Sequence, residues 1–292
     1  AHMQQQIGDL VVKIDDQTKD TAMVAVQGPQ VMELIGRFSR EVPTLKRYGF
    51  CIKNLLILKM TISRTGYTGE DGVEVILPAN MASMAVKLLL KDGGADGVSL
   101  KPCGLGCRDT LRMEAGMPLY GHELDENTDP ISAGLAFAVS LDKDKDENGE
   151  PFLGQEALQR IAAAGPERKL VGLKLEGKRT PRQGMAVRRG DATVGQVTSG
   201  CLSPTLNYPI AMAYVEAGAA EVGTALAVDL AGQSVAAWAR YQAMARRRRG
   251  GWVVSSVAVT ASTGAAALRR LTLPAMVRPA VCASGVLLSS RL

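Results

Sequence analysis

The segment Ser63-Arg64-Thr65-Gly66-Tyr67-Thr68-Gly69-Glu70-Asp71-Gly72-Val73-Glu74-Val75 concentrates residue types that can do chemistry. Glycines recur every third residue at 66, 69 and 72, and an acidic pair lies between the last two. Glycine at that density suits a backbone that bends tightly or approaches a ligand closely. Glu74 alternates with Val73 and Val75, so on a strand its side chain points away from theirs and must meet water, a cation or donors. A carboxylate there can accept two parallel N–H bonds from the edge of a planar ring. An ordinary hairpin with Asp71-Gly72 as its turn is the other reading of the same residues.

Further candidates follow downstream. Arg108 sits near the start of a helix, one turn before Arg112. It can ladder with Asp109 or Glu114 on a surface, or hold loop carbonyls as a fork. His122 has no Cys or Ser partner in view and reads as a polar loop residue rather than a catalytic one. Thr198-Ser199-Gly200-Cys201-Leu202-Ser203-Pro204 lacks the Gly-x-Ser-x-Gly elbow and a triad context, and reads as structural. Five cysteines (51, 103, 107, 201, 282) are scattered and odd in number. Cys103 and Cys107 have four-residue spacing, but no second pair and no suitable His lies near, so no zinc site is expected. Thiols in a reducing compartment are the simpler reading.

The elements that must position these residues change character along the chain. Residues 22–27 read as a strand, and Gln27-Gly28-Pro29 turns it into a helix carrying Val31, Leu34, Ile35 and Phe38 at helical spacing. Residues 54–63 and 73–77 read as strands on either side of the glycine segment. Met81 to Lys91 and Leu105 to Ala115 read as helices, ended by Asp92-Gly93-Gly94 and by Gly116. This order predicts an α+β half with antiparallel pairing. A charged loop, Asp142 to Glu150, marks a domain boundary, and Phe152 to Ala164 reads as a short helix. Short strands at 170–175, 185–187, 193–198, 210–215 and 225–230 then predict a small antiparallel barrel or sandwich.

The 292 residues can hold two domains with a sizeable core, and an apolar content of 46% is ordinary for a globular chain. Residues 24–236 have no uncharged apolar run long enough to span a membrane, and Ala1-His2-Met3 does not open a signal peptide. The net charge of +5 is local. No Asp, Glu or Lys follows Asp229, whereas nine Arg do, at 240, 246–249, 269, 270, 278 and 291; without them the balance is −4. A nucleic-acid role argued from the overall charge therefore fails.

Four blocks, in order, resemble the aminomethyltransferase of the glycine cleavage system, the T-protein family, and its folate-binding relatives. They are Ser63 to Val75, Gly104 to Gly116, Leu119 to Thr128, and Val197 to Leu206; the likeness runs from about Val24 to about Ala236. It implies an α+β, folate-binding aminomethyltransferase-like core over 1–150, N-terminally incomplete, followed by a small antiparallel β-barrel over 151–238 whose last strand is not evident. Residues 239–292, rich in Arg, Ala and Ser, leave the family pattern and are expected to be a disordered tail.

The resemblance further implies transfer of a methylene carbon from an aminomethyl-lipoyl carrier, the H-protein, to tetrahydrofolate with release of ammonia. The Glu matching Glu74 binds the pterin, Arg108 matches an Arg that contacts folate, and Tyr67 matches a Tyr lining the same pocket. Met117 falls where relatives place an apolar residue against folate, or packs in the core. Glu74 and Arg108 are expected to converge on one cavity. The family's catalytic Asp, in a Gly-Gly-x-x-Asp-Asp-like stretch, has no counterpart; Asp15-Asp16 does not match it, so no catalytic residue is expected in this chain. Neither metal, membrane nor nucleic acid enters this reading, and the setting is the bacterial cytoplasm or the mitochondrial matrix. Two other readings are a folate-binding repair or assembly factor without amine transfer, and a demethylase-type folate domain.

Overall fold

The computed structural model describes residues 5, 7–9, 11–55, 58–92, 99–147, 149–240, 256–263 and 287–289. Its contacts divide into two compact units. The first comprises Ala1–Gly66, Glu70–Cys107 and Val253–Leu292; the second comprises Tyr67–Gly69 and Arg108–Trp252.

The first unit is built on one sheet. Its strands are β1 (Thr21–Gln27), β2 (Phe50–Leu55), β3 (Leu58–Ser63), β4 (Gly72–Pro78) and β5 (Ser99–Pro102), with α1 (Val31–Gly36) and α2 (Ala82–Asp92). β1 pairs antiparallel with β4, β4 with β3, and β3 with β2. The core-facing sides of these strands carry Val24, Val26, Cys51, Ile62, Val73 and Leu77, and α1 and α2 close over them with Val31, Leu34, Ile35 and Val86. The 54–63 run expected as one strand is a hairpin, β2–β3, paired in register from Phe50↔Ser63 to Leu55↔Leu58. No Gly or Pro interrupts that run, so its turn left no chemical signature to read. Phe38, expected on the buried face of the first helix, is 46% exposed because α1 stops at Gly36.

The recurring glycines have a physical explanation within each unit. A Cβ on Gly66 would stand 1.7 Å from Gln27 Oε1, and one on Gly72 would stand 2.3 Å from Gln27 Nε2. The two glycines therefore make room for a buried amide, not for a ligand. Gln27, at the end of β1, donates from Nε2 to Thr65 O (3.0 Å) and Val73 O (3.3 Å), tying both ends of the loop to the strand beside it. Arg64 and Asp71 complete the closure. The Arg64 guanidinium donates to both Asp71 carboxylate oxygens and to the carbonyls of Pro43 and Leu45. The Arg64 hydrogen bond holds the Asp71 carboxyl below the usual carboxylate range. Stability from this pair is accordingly present above that range and is lost as pH falls through the lowered value.

The second unit holds most of α3 (Leu105–Glu114), together with α4 (Gln155–Ala164) and a closed barrel. The barrel strands are β6 (Arg168–Leu175), β7 (Ala186–Arg189), β8 (Ala192–Leu202), β9 (Pro209–Glu216), β10 (Ala225–Asp229) and β11 (Ser234–Arg240). They close in the order β10-β11-β6-β9-β8-β7, all antiparallel. The last strand, not evident from sequence, is β11. It alternates buried Ala237 and Ala239 with outward residues and pairs with both β10 and β6. Small alanines fill a narrow interior beside Val171, Leu173, Val215 and Val228 and carry little strand propensity of their own, which hid them.

Of the expected disordered tail, residues 239 and 240 belong to β11. Residues 256–263 form β12 and 287–289 form β13. β12 pairs antiparallel with β1 from Ala22↔Thr263 to Gln27↔Ala258, and parallel with β5 and β13. The rest of that expectation lies outside the described residues. Gly72→Ala should displace the Gln27 amide and cost about 1–3 kcal/mol through the buried hydrogen bonds it breaks, read as a lower urea midpoint. Adding Gln27→Ala to Gly72→Ala should cost less than Gln27→Ala costs alone.

Candidate functional site

In the second unit, Tyr67 is half-buried and its ring lies under the Arg108 guanidinium, with Cζ 5.1 Å from the ring centroid. That is cation–π distance. The Tyr67 hydroxyl donates to Pro118 O and reaches Met117 O at 3.5 Å. Burial pushes the Tyr67 hydroxyl up, with Arg112 opposing, so it is a neutral donor at physiological pH. Of the residues implied by the resemblance, Tyr67, Arg108 and Met117 lie together in this unit. Met117 enters by its main-chain carbonyl rather than through its side chain, because the chain turns at Gly116 (φ 73°) and points that carbonyl back at Tyr67 and Arg112. Gly69 (φ 75°) holds the short Tyr67–Gly69 stretch against the same turn; a Cβ there would stand 2.7 Å from Ala115 Cβ.

Beneath this surface lies a polar network. Arg112 is 1% exposed and Glu123 is also 1% exposed. Arg112 Nη1 donates to Glu123 Oε2 (2.7 Å) and Met117 O (3.2 Å), Nε donates to Asp109 (2.7 Å), and Nη2 donates to Ser199 Oγ (2.8 Å). Glu123 is equally well held, accepting from Leu119 N (2.9 Å) and from Thr198 Oγ1 (2.6 Å). Burial, reinforced by the Glu123 charge, pushes the Tyr214 hydroxyl up to about 12, and it donates to Glu123 O (2.9 Å). Burial alone would lower Arg112; Glu123 and Asp109 outweigh it and raise the guanidinium further, so it stays charged.

His122 is exposed, with Nδ1 3.1 Å from Thr198 O and 3.2 Å from Ser199 Oγ. Ser199 lies buried under the Arg112 guanidinium, so this contact fastens the loop to β8 and does not arm a nucleophile. The block from Thr198 to Ser203 has the same fastening role at its other end. Glu114, 1% exposed, accepts from Ser203 Oγ, Thr205 N (3.1 Å) and Thr205 Oγ1 (2.7 Å). From sequence alone, Arg112 has no site role and Glu123 is not singled out. Nothing in the sequence pairs them, since they lie eleven residues apart across a turn that only the fold closes.

Glu74 belongs to the first unit. It sits on β4 opposite Ser63 of β3, on the face away from buried Val73. Its Oε2 accepts from Thr65 Oγ1 (2.5 Å), whose other neighbour is Ser63 Oγ (2.7 Å). The carboxylate is half-buried and aimed by that chain of hydroxyls, and among the described residues no donor reaches Oε1. Asp15-Asp16 lies in an exposed segment where Asp16 accepts from Thr18 N (3.0 Å) and Thr18 Oγ1 (2.6 Å), a local turn. A separate cleft of about 640 Å³ in the second unit is lined by His122, Asp125, Asp129, Arg160, Arg168 and Tyr214 among others, with charges of both signs; Tyr67 and Arg108 are not on it. No group of three or more potential metal ligands occurs among the described residues, and no helix among them is long and apolar enough to cross a membrane.

Residues 1–143 match the GCVT N-terminal domain and residues 168–240 match the glycine cleavage T-protein C-terminal barrel domain. The chain belongs to the glycine cleavage T-protein family. An aminomethyltransferase of Cutibacterium acnes is 45% identical over 233 residues, 77% of this chain and 60% of that one. An aminomethyltransferase of Synechococcus sp. strain CC9311 is 43% identical over 225 residues, 76% of this chain and 58% of that one. The chain thus spans about three fifths of the length of these curated relatives. The crystal structure of glycine cleavage system aminomethyltransferase T from Bartonella henselae shares the fold, with a TM-score of 0.57 at 24% identity, covering 79% of this chain and 86% of that one. The second unit's barrel is the family's C-terminal barrel, and its six strands coincide with the matched residues.

Glu123→Ala should cost about 3–5 kcal/mol, because it leaves Arg112 charged, buried and unpaired. Glu156→Ala, which breaks the exposed pair with Arg160 (3.1 Å), should change stability by no more than about 0.5 kcal/mol. Urea denaturation of the two variants side by side checks the contrast.

Proposed function

We propose that this chain binds tetrahydrofolate and serves the transfer of a methylene carbon to it from the aminomethyl-lipoyl arm of an H-protein, with release of ammonia. The observation that carries this reading is the half-buried Tyr67 ring held under Arg108, with its hydroxyl fixed on the carbonyls of Met117 and Pro118. It occurs in a chain of the T-protein family whose named relatives are aminomethyltransferases.

Taken unit by unit, these side chains have chemistry suited to parts of a reduced pterin and its tail. A pterin edge presents an amino group and a ring N–H side by side, and the aimed Glu74 carboxylate can accept both. A flat, permanently charged guanidinium on an aromatic ring, as at Arg108, suits a neighbouring carbonyl or carboxylate of the ligand. Tyr67 offers an apolar ring face whose hydroxyl is held by Pro118 O. In the reaction, the methylene carbon gains bonds to folate N5 and N10 and gives up its bonds to nitrogen and sulfur. The nitrogen leaves as ammonia, the sulfur stays on the carrier as a thiol of the dihydrolipoyl arm, and the two folate N–H protons balance these products. We assign no residue of this chain to proton transfer; the work of those named is to bind, orient and exclude water. On this reading the setting is the bacterial cytoplasm, in keeping with the bacterial sources of the relatives.

Titration of tetrahydrofolate into the full chain by calorimetry should show saturable binding, and no binding would overturn the proposal. Glu74→Gln should weaken that binding by about 1–3 kcal/mol, through loss of charge-assisted bonds. Unchanged affinity in this variant would remove Glu74 from the site.

A further inference from the structure

Cys103 and Cys107 stand where β5 leads into α3. Cys103 precedes α3 and Cys107 is its third residue, where Cys107 N donates to Gly104 O (3.0 Å). Their Sγ atoms are 3.0 Å apart, and both residues are thiols. Non-bonded heavy atoms ordinarily rest at roughly 3.5–4.0 Å, so these sulfurs are already in tight contact. A disulfide has an S–S length of about 2.05 Å, leaving an approach of about 1 Å to be made. Exposure gives the two thiols different roles: Cys103 is 1% exposed, whereas Cys107 is half-buried and open to a reagent.

We propose that Cys103 and Cys107 form a dithiol site that a low-molecular-weight disulfide of the glutathione class oxidises to an intramolecular bridge. The Cys107 thiolate attacks one sulfur of the reagent, whose S–S bond breaks; a mixed disulfide forms and one reagent thiolate leaves and takes up a proton. The Cys103 thiolate then attacks Cys107 Sγ, the Cys103–Cys107 bond forms, and the second reagent thiolate leaves and is protonated. The protein loses two hydrogens and two electrons, and the reagent disulfide becomes two thiols. The other described cysteines lack this arrangement. Burial raises the Cys51 thiol and pushes Cys201 up to about 12, keeping both protonated and slow to exchange. The bridge ties Cys103, which precedes α3, covalently to the first turn of that helix. The chemistry of the pair stands whether or not the chain binds folate.

The test uses the full chain, equilibrated in buffers of increasing oxidised-to-reduced glutathione ratio, quenched with acid, denatured, alkylated and mapped by peptide mass spectrometry. The expected result is a peptide carrying Cys103 and Cys107 that is two hydrogens lighter and unalkylated, at ratios where Cys51 and Cys201 are still alkylated. Cys103→Ser should instead trap Cys107 as its glutathione adduct. Three results would overturn the proposal: both thiols remaining alkylatable at every ratio, a stable adduct on Cys107 in the unmodified chain, or equal bridging when the chain is oxidised in denaturant. The unmodified chain alone decides the matter should the Ser variant fail to fold.

Discussion

The second unit depends on one buried ion pair. Arg112 and Glu123 are both withdrawn from water, and two charges in that position are costly unless every lone pair and proton is matched. Here they are matched. The guanidinium finds Asp109, Met117 O, Glu123 and Ser199 Oγ, and the carboxylate finds Arg112, Leu119 N and Thr198 Oγ1. These partners come from α3, from the 117–123 turn and from β8, so the network can be satisfied in only one arrangement of the three. A hydrophobic cluster in the same place would tolerate a shifted turn; a matched charge pair does not. The surface pair Tyr67–Arg108 inherits this rigidity, because the carbonyl of Met117 that faces the Tyr67 hydroxyl is the one that Arg112 holds from below.

The first unit uses a neutral version of the same device. The Gln27 amide enters between two glycines and bonds the carbonyls of Thr65 and Val73, which flank the loop. A loop of this length with three glycines is expensive to order by itself. The buried amide, together with the bidentate Arg64–Asp71 pair, offsets that cost and sets where β4 begins. Glu74 is the third residue of β4, so its place on the sheet follows from the position of that loop.

Much of this was legible in the sequence, and the misses share a cause. β1, α2, α3 and five barrel strands follow from periodicity and from glycine or proline at their ends. Tyr67, Arg108 and Met117 were implied by the resemblance, and Tyr67 contacts both of the others in the second unit. What failed to show was non-local. Gly66 and Gly72 look alike as ligand-approach glycines and as amide-clearance glycines until Gln27, some forty residues earlier, is seen between them. Glu123 is one of many surface-type residues by composition, and only closure of the turn buries it. β11 turns two alanines, Ala237 and Ala239, into the barrel interior, and alanine scores poorly as a strand former. β12 is paired with β1 across more than two hundred residues, a separation that no local pattern encodes.

The choice of Arg at 108 bears on what the site can recognise. A lysine at that point could satisfy one acceptor, but it would carry its hydration shell onto the Tyr67 ring. A guanidinium sheds water more readily, lies flat on the ring, and still presents its N–H edge outward in a fixed fork. The far end of the ring is held in turn, because its hydroxyl donates to Pro118 O. The pair is therefore preorganised: little side-chain entropy remains to be lost when an acceptor arrives, and the free energy of the new hydrogen bonds appears as affinity rather than as ordering. On the proposed reading, a folate, flat and with an anionic tail, is a ligand that gains from such a surface.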